Sequence, residues 1–334
     1  MNIVFSESSN LNNGIFGNCQ APIRMFIEEQ AEAQEQNSIL KELFMMGTSD
    51  NFADTFTGMT AMNGFQPVGE NGAYPTDGMQ QGYEKMLRYE TWKDSFAISK
   101  EMVEDAKLMD MKRQPAQFMT SYSRTRELFG ASIYANAMMG KSSMTFRGKK
   151  FDLTGADGVS VFNTAHKPKV KGKSQCNMFS DAFSMDALDR MESKMHLFKG
   201  ENDELLTVAP NVILIPEDPA LRRQVFAAIG SDQDPVSANN AFNYQYGRWT
   251  VITWSFLNQF ITDGSMPWVL MDSKHNQTFG GAVWNDRVQL EVTSDIDPNT
   301  DANLWKGRSR FNACFNDWHF AAVGGVAAGE ALAG

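Results

Sequence analysis

Side chains that are mostly apolar recur at intervals of three and four residues in the middle of the chain, and this spacing predicts one long helix. Pro115 suits the first turn of such a helix and Gly140 suits its end, so the helix is predicted over residues 115–139. At 1.5 Å per residue, its roughly 25 residues form a rod of about 37 Å. The repeating positions fall on one stripe, which indicates that the rod lies along a sheet: Phe118, Tyr122, Thr125, Phe129, Ile133 and Ala137.

The N-terminal 48 residues are predicted to form an arm and a helix. Residues 1–20 are rich in Asn, Ser and Gly and show no sustained period, so an extended arm is expected. Residues 22–46 return to a helical spacing, with Ile23 and Ile27 near one end and Leu40 and Leu43 near the other. The stretch between them, EEQAEAQEQN, has no apolar stripe. We therefore expect this helix to lie across a surface.

Residues 181–284 alternate helix and strand signals and are predicted to form an α/β lobe. An amphipathic helix is expected over 184–198, and the apolar run NVILI, between Pro210 and Pro216, predicts a buried strand. A second helix is expected to begin near Asp218. Later runs predict further strands: WTVITW, PWVLMD, AVWNDRVQLEV and SRFNACFNDWHFAAVG. The fold class is α+β, with strands from both halves of the chain rejoining near its end.

The segment over residues 49–95 has the pattern of an extended hairpin. Two strand-like limbs flank the sequence ENGAYPTDG, which is dense in turn-forming residues. The returning limb, YEKMLRYETWKDSF, alternates in polarity, but neither of its faces is wholly apolar. A two-stranded ribbon of this kind is marginally stable in water by itself. We therefore expect it to pack on another surface, most simply that of a second copy of the chain.

The formal net charge of −10 argues against a general nucleic-acid-binding protein, which needs a basic face. Residues 141–173 are the exception, with eight basic and two acidic side chains. The lysines over 167–173 could contact nucleic acid, or form a solvated loop that pairs with an acidic neighbour; without interleaved aromatic residues the second reading is favoured. Three widely spaced cysteines give no disulfide framework and suit a reducing cytoplasm. No N-terminal segment resembles a signal peptide, and no apolar run is long enough to span a bilayer.

His166 is a candidate general base, because it follows Asn163 and Thr164 in a glycine-rich stretch. One hypothesis is a soluble hydrolase that uses His166 with Cys176 or a nearby serine. The other is a surface loop in which His166 is a turn residue, because no nucleophile signature accompanies it. The second is favoured, and replacing His166 with Ala is then expected to leave assembly nearly intact.

A second candidate site is an acidic loop, DIDPNTDAN, that resembles part of a calcium-binding loop. Its alternating oxygen ligands are Asp295, Asp297, Asn299 and Asp301. Thr300 stands where such loops need glycine, and Lys306 stands where they need a bidentate glutamate. A solvated loop is therefore favoured over an ion site. No catalytic residue, metal or cofactor is predicted.

Four strings, in order along the chain, resemble the major capsid proteins of tailed bacteriophages, which have the Hong Kong 97 type of fold. The similarity is strongest to Mu-like major head subunits. It covers most of the chain from about residue 51, and its strings are DSFAISKEMVEDA, GADGVSVFNTAHKP, LTVAPNVILIPEDPALRRQVFAAIGS and DANLWKGRSRFNACFNDWHFAAVG.

The resemblance implies an N-terminal arm and helix over 1–48, an extended hairpin loop over 49–95 and a peripheral domain with the spine helix over 96–180. The implied division of the chain continues with an axial domain over 181–284, and it ends with return strands and a C-terminal tail over 285–334. The resemblance also implies pentamers and hexamers that tile an icosahedral shell around double-stranded DNA, which is held non-specifically. Portal and scaffolding or decoration proteins are the expected partners, assembly occurs in the host cytoplasm, and no membrane is involved. An encapsulin-like compartment is the alternative with the same fold.

Several residues of the hairpin and of the lysine-rich stretch are predicted to contact neighbouring subunits. Lys85 also has the position of the lysine that some family members crosslink to a neighbour's asparagine, but no partner can be placed and no crosslink is predicted. Because the hairpin begins near residue 50, a separate scaffolding protein or none is expected. The predicted contact residues are Phe65, Tyr74, Tyr83, Lys85, Arg88, Lys167, Lys169 and Lys171.

Overall fold

The structure is a computed structural model that describes residues 4–7, 14–59, 65, 67–70, 72–74, 76, 81–105, 108–233 and 242–332. Its helices are α1 (Gly14–Gln36), α2 (Leu40–Leu43), α3 (Lys100–Glu104), α4 (Leu108–Met138), α5 (Met185–His196), α6 (Pro219–Ile229) and α7 (Ser273–Phe279). Its strands are β1 (Val4–Glu7), β2 (Met45–Thr48), β3 (Ala53–Met59), β4 (Gln81–Arg88), β5 (Glu90–Ile98), β6 (Ser143–Phe146), β7 (Lys149–Asp152), β8 (Val212–Pro216), β9 (Thr250–Trp254), β10 (Trp268–Met271), β11 (Ala282–Ile296), β12 (Asn303–Phe315) and β13 (Ala321–Gly324). The predicted α+β class is confirmed.

A long sheet forms the frame of one half of the molecule. Its strand order is β1-β11-β12-β5, and β2 also pairs with β11. β11 and β12 form an antiparallel pair that runs from Ala282 opposite Phe315 to Ile296 opposite Asn303. Strands from the first hundred residues thus join strands from the last sixty or so, as the sequence predicts.

The spine helix α4 packs along this sheet with the predicted stripe inward. Phe129 and Ile133 are buried in the main core, whereas Phe118 is buried in a second core with residues of α1. The helix begins at Leu108, so Pro115 lies inside it and not in its first turn. A proline inside a helix removes one backbone hydrogen bond but does not always end the helix, which is why the predicted start was seven residues late.

The predicted helix over 22–46 is divided in the structure. α1 starts at Gly14 and ends at Gln36, the short α2 follows, and Met45–Thr48 forms the strand β2. β2 pairs in parallel with β11, from Met45 opposite Val283 to Thr48 opposite Asp286. Sheet hydrogen bonds therefore override the helical spacing at this point. Residues 4–7, expected in the extended arm, form the edge strand β1.

A four-stranded sheet with the order β13-β10-β8-β9 forms the core of the predicted α/β lobe. All five residues of β8 are buried, in agreement with the run NVILI. α5 and α6 begin at capping side chains, Ser184 and Asp218, which accept hydrogen bonds from backbone amides three residues later. β13 was predicted among the peripheral return strands, but it pairs with β10 in this sheet because its small apolar residues are all buried there.

The predicted hairpin is present as an antiparallel ribbon of β3 and β4, with Ala53 opposite Arg88 and Met59 opposite Gln81. Most of the connecting segment over 60–80 lies outside the described residues. Within the described part of the chain, no helix is both long enough and apolar enough to cross a membrane.

Candidate functional site

The base of the hairpin is fixed to its own subunit by a buried lysine. Lys85 lies in β4, and 7% of its surface is exposed. Its Nζ donates to Asp152 Oδ2 at 2.5 Å and to Thr154 Oγ1 at 2.9 Å. Burial would raise the pKa of Asp152, but the hydrogen bonds and the charge of Lys85 lower it below its usual value. β4 therefore presents this lysine inward, toward the end of β7.

This placement corrects the prediction that Lys85 meets a neighbouring subunit. Its buried ammonium group is engaged by an ion pair with the more exposed Asp152, and leaving a buried charge without its partner is unfavourable. Lys85 anchors the hairpin, and it is not displayed for an intersubunit contact or a crosslink.

A second anchor lies where the hairpin joins the long sheet. The Tyr89 hydroxyl donates to the Asp54 carboxylate, and Asn285 Nδ2 donates to Asp54 Oδ2 at 3.1 Å. Ser49 Oγ donates to the other carboxylate oxygen at 2.8 Å. Burial would raise the pKa of Asp54, but these hydrogen bonds lower it. The orientation of the hairpin base is therefore set by contacts on both of its strands.

The lysine-rich stretch is a third support for the hairpin. We call residues 167–173 the lysine loop. Lys169 Nζ donates to the Gly82 carbonyl at 2.6 Å and lies 5.6 Å from the centre of the Tyr83 ring. The Tyr83 hydroxyl donates to the Lys167 carbonyl at 3.3 Å, and the Lys169 amide donates to the Glu201 carboxylate. The predicted contact residues Tyr83 and Lys169 thus meet each other inside one subunit.

Other predicted contact residues are displayed to solvent. Phe65 and Tyr74, in the segment that connects the two hairpin strands, are fully exposed. Arg88, Lys167 and Lys171 are also exposed. Large aromatic side chains that have no cover in a monomer are typical of protein interfaces.

His166 is not the surface turn residue that the sequence predicts, because 1% of it is exposed. Its Nδ1 lies 2.6 Å from Asp157 Oδ2, and its Nε2 lies 3.1 Å from Asn177 Oδ1. Its ring stacks on Trp318, with centroids 4.3 Å apart. The glycine-rich stretch is therefore tied to the end of the chain by a buried polar group, and the expected tolerance of H166A does not follow.

A second histidine cluster lies against the other face of Trp318. His319 Nδ1 is 2.5 Å from Asp317 Oδ1, and His275 Nε2 is 2.9 Å from Asp317 Oδ2. The His319 ring stacks on Trp318 at 3.8 Å. These residues line a cavity of about 550 Å³ beneath the tip-side end of the β3–β4 ribbon.

The two described cysteines are poor candidates for the nucleophile of a hydrolase. Burial raises the pKa of Cys176, and it raises the pKa of Cys314 to about 12, so both thiols stay protonated at neutral pH. Cys176 Sγ donates to the Met178 carbonyl at 3.2 Å. Among the described residues, no group of three or more His, Cys, Asp or Glu side chains could hold a metal ion.

The calcium-loop candidate is the turn of the β11–β12 hairpin. Asp297 accepts hydrogen bonds from the Asn299 amide and the Thr300 hydroxyl, both at 3.0 Å. The Asp301 amide donates to the Asp297 carbonyl at 2.9 Å. Asp295 lies 3.5 Å from Lys306 Nζ. The acidic side chains therefore shape a turn and pair with a lysine.

An aromatic strip in the α/β lobe is not predicted from the sequence. Phe242, Tyr244 and Tyr246 are exposed, whereas Asn243 and Gln245 between them are wholly buried. Asn243 Nδ2 donates to two carbonyls, and Gln245 Nε2 donates to two carboxylates on α5. The amides thus hold the aromatic rings outward. The alternation in FNYQY was a visible signal, but alternation alone does not say which set is buried.

A sequence model of the phage capsid protein family matches residues 83–324, which is most of the chain. The chain belongs to the phage capsid protein family. Proteins of this family form the shell of the virion, and the resemblance found in the sequence is confirmed. None of the curated proteins compared with this capsid protein matches it in sequence.

Solved structures of phage proteins are similar to the chain in fold. The capsid of the cyanophage P-SCSP1u is similar at a TM-score of 0.52 and 10% identity, over 87% of this chain and 88% of that one. A chain from Mycobacterium phage Patience has a TM-score of 0.49 and 14% identity, over 100% of this chain and 95% of that one. The capsid of Myoviridae phage XM1 has a TM-score of 0.49 and 10% identity, over 86% of this chain and 92% of that one. The capsid protein has the Hong Kong 97 type of fold, and the coat-protein hypothesis is favoured over the compartment and hydrolase alternatives.

Proposed function

We propose that the chain is the major capsid protein of a tailed double-stranded DNA phage, and that its copies assemble as pentamers and hexamers into an icosahedral shell. The observation that carries this proposal is the hairpin. Its base is locked to its own subunit through Lys85 and Asp54, while Phe65 and Tyr74 are exposed near its tip. A rigid base with an uncovered aromatic tip suits a segment that packs on a neighbour.

The ribbon itself supports the same reading. Phe52, beside β3, and Met86, on β4, are exposed, and among the described residues β3 and β4 pair only with each other. A ribbon that leaves apolar side chains in water gains stability when another subunit covers them. Each such contact is modest, but a closed ring makes all of them at once.

The aromatic strip over residues 242–246 provides a second contact, between the α/β lobes of one ring. Tyrosine and phenylalanine held in fixed positions lose little conformational entropy on binding, so they contribute efficiently to an interface. The chain acts by association and not as an enzyme. The proposed domains are an arm, a hairpin loop, a peripheral domain with its spine helix, an axial domain that includes β13, and return strands.

The remaining partners follow from a role as shell. Double-stranded DNA is enclosed without sequence-specific contacts, since the net charge of −10 disfavours tight phosphate binding. Portal and scaffolding or decoration proteins meet the shell, and subunits assemble in the host cytoplasm.

Expression of the full chain, followed by size-exclusion chromatography and negative-stain microscopy, tests the proposal. Closed shells, or rings of five and six subunits, are expected. Deletion of residues 69–77 is expected to leave a folded subunit that forms no shells. Normal shells from this deletion would contradict the bridging role of the hairpin. A small oligomer with hydrolase activity would support the hydrolase instead, and shells from the native host filled with protein and not DNA would support a compartment.

A further inference from the structure

The lysine loop carries a concentrated positive charge that its own subunit neutralises only in part, through the nearby Asp203, whose pKa is lowered by Lys199 first and then by Lys171 and Lys173. Lys167, Lys171 and Lys173 are exposed and form no ion pair with any described residue. Val170, in their midst, is 43% exposed. The loop backbone is held in place, since the amides of Lys169 and Lys171 both donate to Glu201. The loop is therefore a fixed surface with an apolar centre and a basic rim.

Helix α1 carries the opposite arrangement. Glu28, Glu29 and Glu32 are exposed and form no ion pair with any residue in the described ranges. Met25 is 71% exposed, and its spacing from the glutamates places all four on one face of the helix. The opposite face buries other residues against α4, β11 and β12: Ile23, Ile27 and Ala31. We call Met25 with the three glutamates the acidic face.

These two surfaces lie at different ends of the long sheet. His166, directly before the lysine loop, stacks on Trp318, just beyond the end of β12 that pairs with Ala282. α1 packs instead beside Leu290 and Val292 of β11. The ten-residue separation along β11 corresponds to roughly 30 Å at about 3.3 Å per residue. The two surfaces are therefore separated along the sheet within one subunit.

We infer that the lysine loop of one capsid subunit docks on the acidic face of α1 of the next copy, with Val170 against Met25 inside a ring of lysine–glutamate pairs. Complementary surfaces at different ends of one molecule produce a head-to-tail contact, and such contacts close into rings. An apolar centre with a charged rim is the usual anatomy of an interface. The charges select the partner surface and its orientation more than they add affinity. This inference rests on the proposed assembly.

Charge reversal tests the inference in the full-length chain. One variant carries K167E, K171E and K173E, and a second carries E28K, E29K and E32K. Each is expected to lower the yield of shells at least about tenfold, because like charges then face each other. The sixfold variant, which keeps the formal net charge at −10, is expected to recover the yield. A mixture of the two threefold variants is expected to form rings of six in which the variants alternate, because the native loop of one meets the native helix of the other and the two reversed surfaces also match. Rings of five cannot alternate, so complete shells are not expected from this mixture.

The control reverses three exposed lysines outside both surfaces, K93E, K150E and K274E, and it is expected to assemble normally despite the same change in net charge. Normal shells from both threefold variants would overturn the inference while leaving the assembly proposal intact. Failure of the sixfold variant, with subunits that remain folded by circular dichroism, would also overturn it. Normal shells of the lysine variant that package less DNA would assign the loop to DNA. Absence of shells from the unmodified chain would instead count against the proposed function.

Discussion

His166 stacks on Trp318 with ring planes 11° apart, although 152 residues separate them in the chain. The same tryptophan stacks against His319 on its other side. This arrangement closes the chain on itself, because the stretch after β7 is fastened to the segment that links β12 and β13. His166, which the sequence suggests as a general base or a turn residue, thus stabilises the contact between two distant parts of the chain.

Replacement of His166 with Ala is expected to destabilise the subunit. The change leaves Asp157 and Asn177 without their buried partner and removes the stack on Trp318, so we expect a loss of about 2–4 kcal/mol in the free energy of unfolding. Thermal unfolding of assembly-arrested subunits measures it. His196, half-exposed on α5, is the matched control, and H196A is expected to change stability by less than about 0.5 kcal/mol. Equal unfolding temperatures for the two variants would contradict the structural role.

The stability of the subunit is expected to depend on the ionisation of His319. Burial alone would lower its pKa, but the Asp317 carboxylate at Nδ1 and the Lys199 carbonyl at Nε2 raise it above 6.5. Burial would raise the pKa of Asp317, yet the charges and hydrogen bonds of His319 and His275 lower it far below 3.8. The contribution of the His319–Asp317 pair to the free energy of unfolding is therefore full from about pH 4 to pH 6.5. It is lost as the pH rises through the folded-state pKa of His319.

H319Q tests this dependence. Its deficit in the free energy of unfolding, relative to the unmodified chain, is expected to be larger at pH 6 than at pH 9, since the unmodified protein loses the charged pair at high pH. Unfolding by denaturant at each pH gives the two values. H196Q controls for the general effect of pH on the chain. A deficit that stays constant across this range would mean that His319 is not charged in the folded protein.

The tip of the hairpin is expected to act only between subunits. Phe65 and Tyr74 are fully exposed, so F65S with Y74S should leave the unfolding temperature of the isolated subunit unchanged while strongly reducing shell formation. Analytical ultracentrifugation measures the fraction of subunits in shells. L197S with L205S replaces two other exposed apolar residues outside the hairpin and should assemble normally. Equal assembly of the two double variants would argue against an interface at the tip.

Replacement of Lys85 with Met is expected to loosen the base of the hairpin. The change removes both hydrogen bonds to Asp152 and Thr154, so amides of β4 should exchange with solvent at least about tenfold faster, which corresponds to about 1.4 kcal/mol of local stability. Hydrogen-exchange mass spectrometry measures this directly. Lys93 is exposed on β5, and K93M should leave the exchange of β4 unchanged. Unchanged exchange in K85M would show that the other anchors suffice.

The sequence predicts those parts of the fold that depend on local pattern. The stripe from Phe118 to Ala137 identifies the spine helix, and NVILI identifies a buried strand, because periodicity and burial are linked within one element. It could not predict that Lys85 pairs with Asp152, or that His166 stacks on Trp318. Those contacts join residues that are 67 and 152 positions apart, and only the tertiary structure decides them. The predicted end of the first helix was wrong for a related reason. Met45–Thr48 pairs with β11, and local spacing does not reveal this pairing partner.

The buried side-chain amides of Asn243 and Gln245 bear on when subunits can begin to associate. They already turn the rings of Phe242, Tyr244 and Tyr246 toward water in a single subunit, so no conformational trigger has to uncover this adhesive edge. If this strip forms the contact proposed above, a newly folded copy can associate at once, and the local concentration of copies then decides when a ring begins to form.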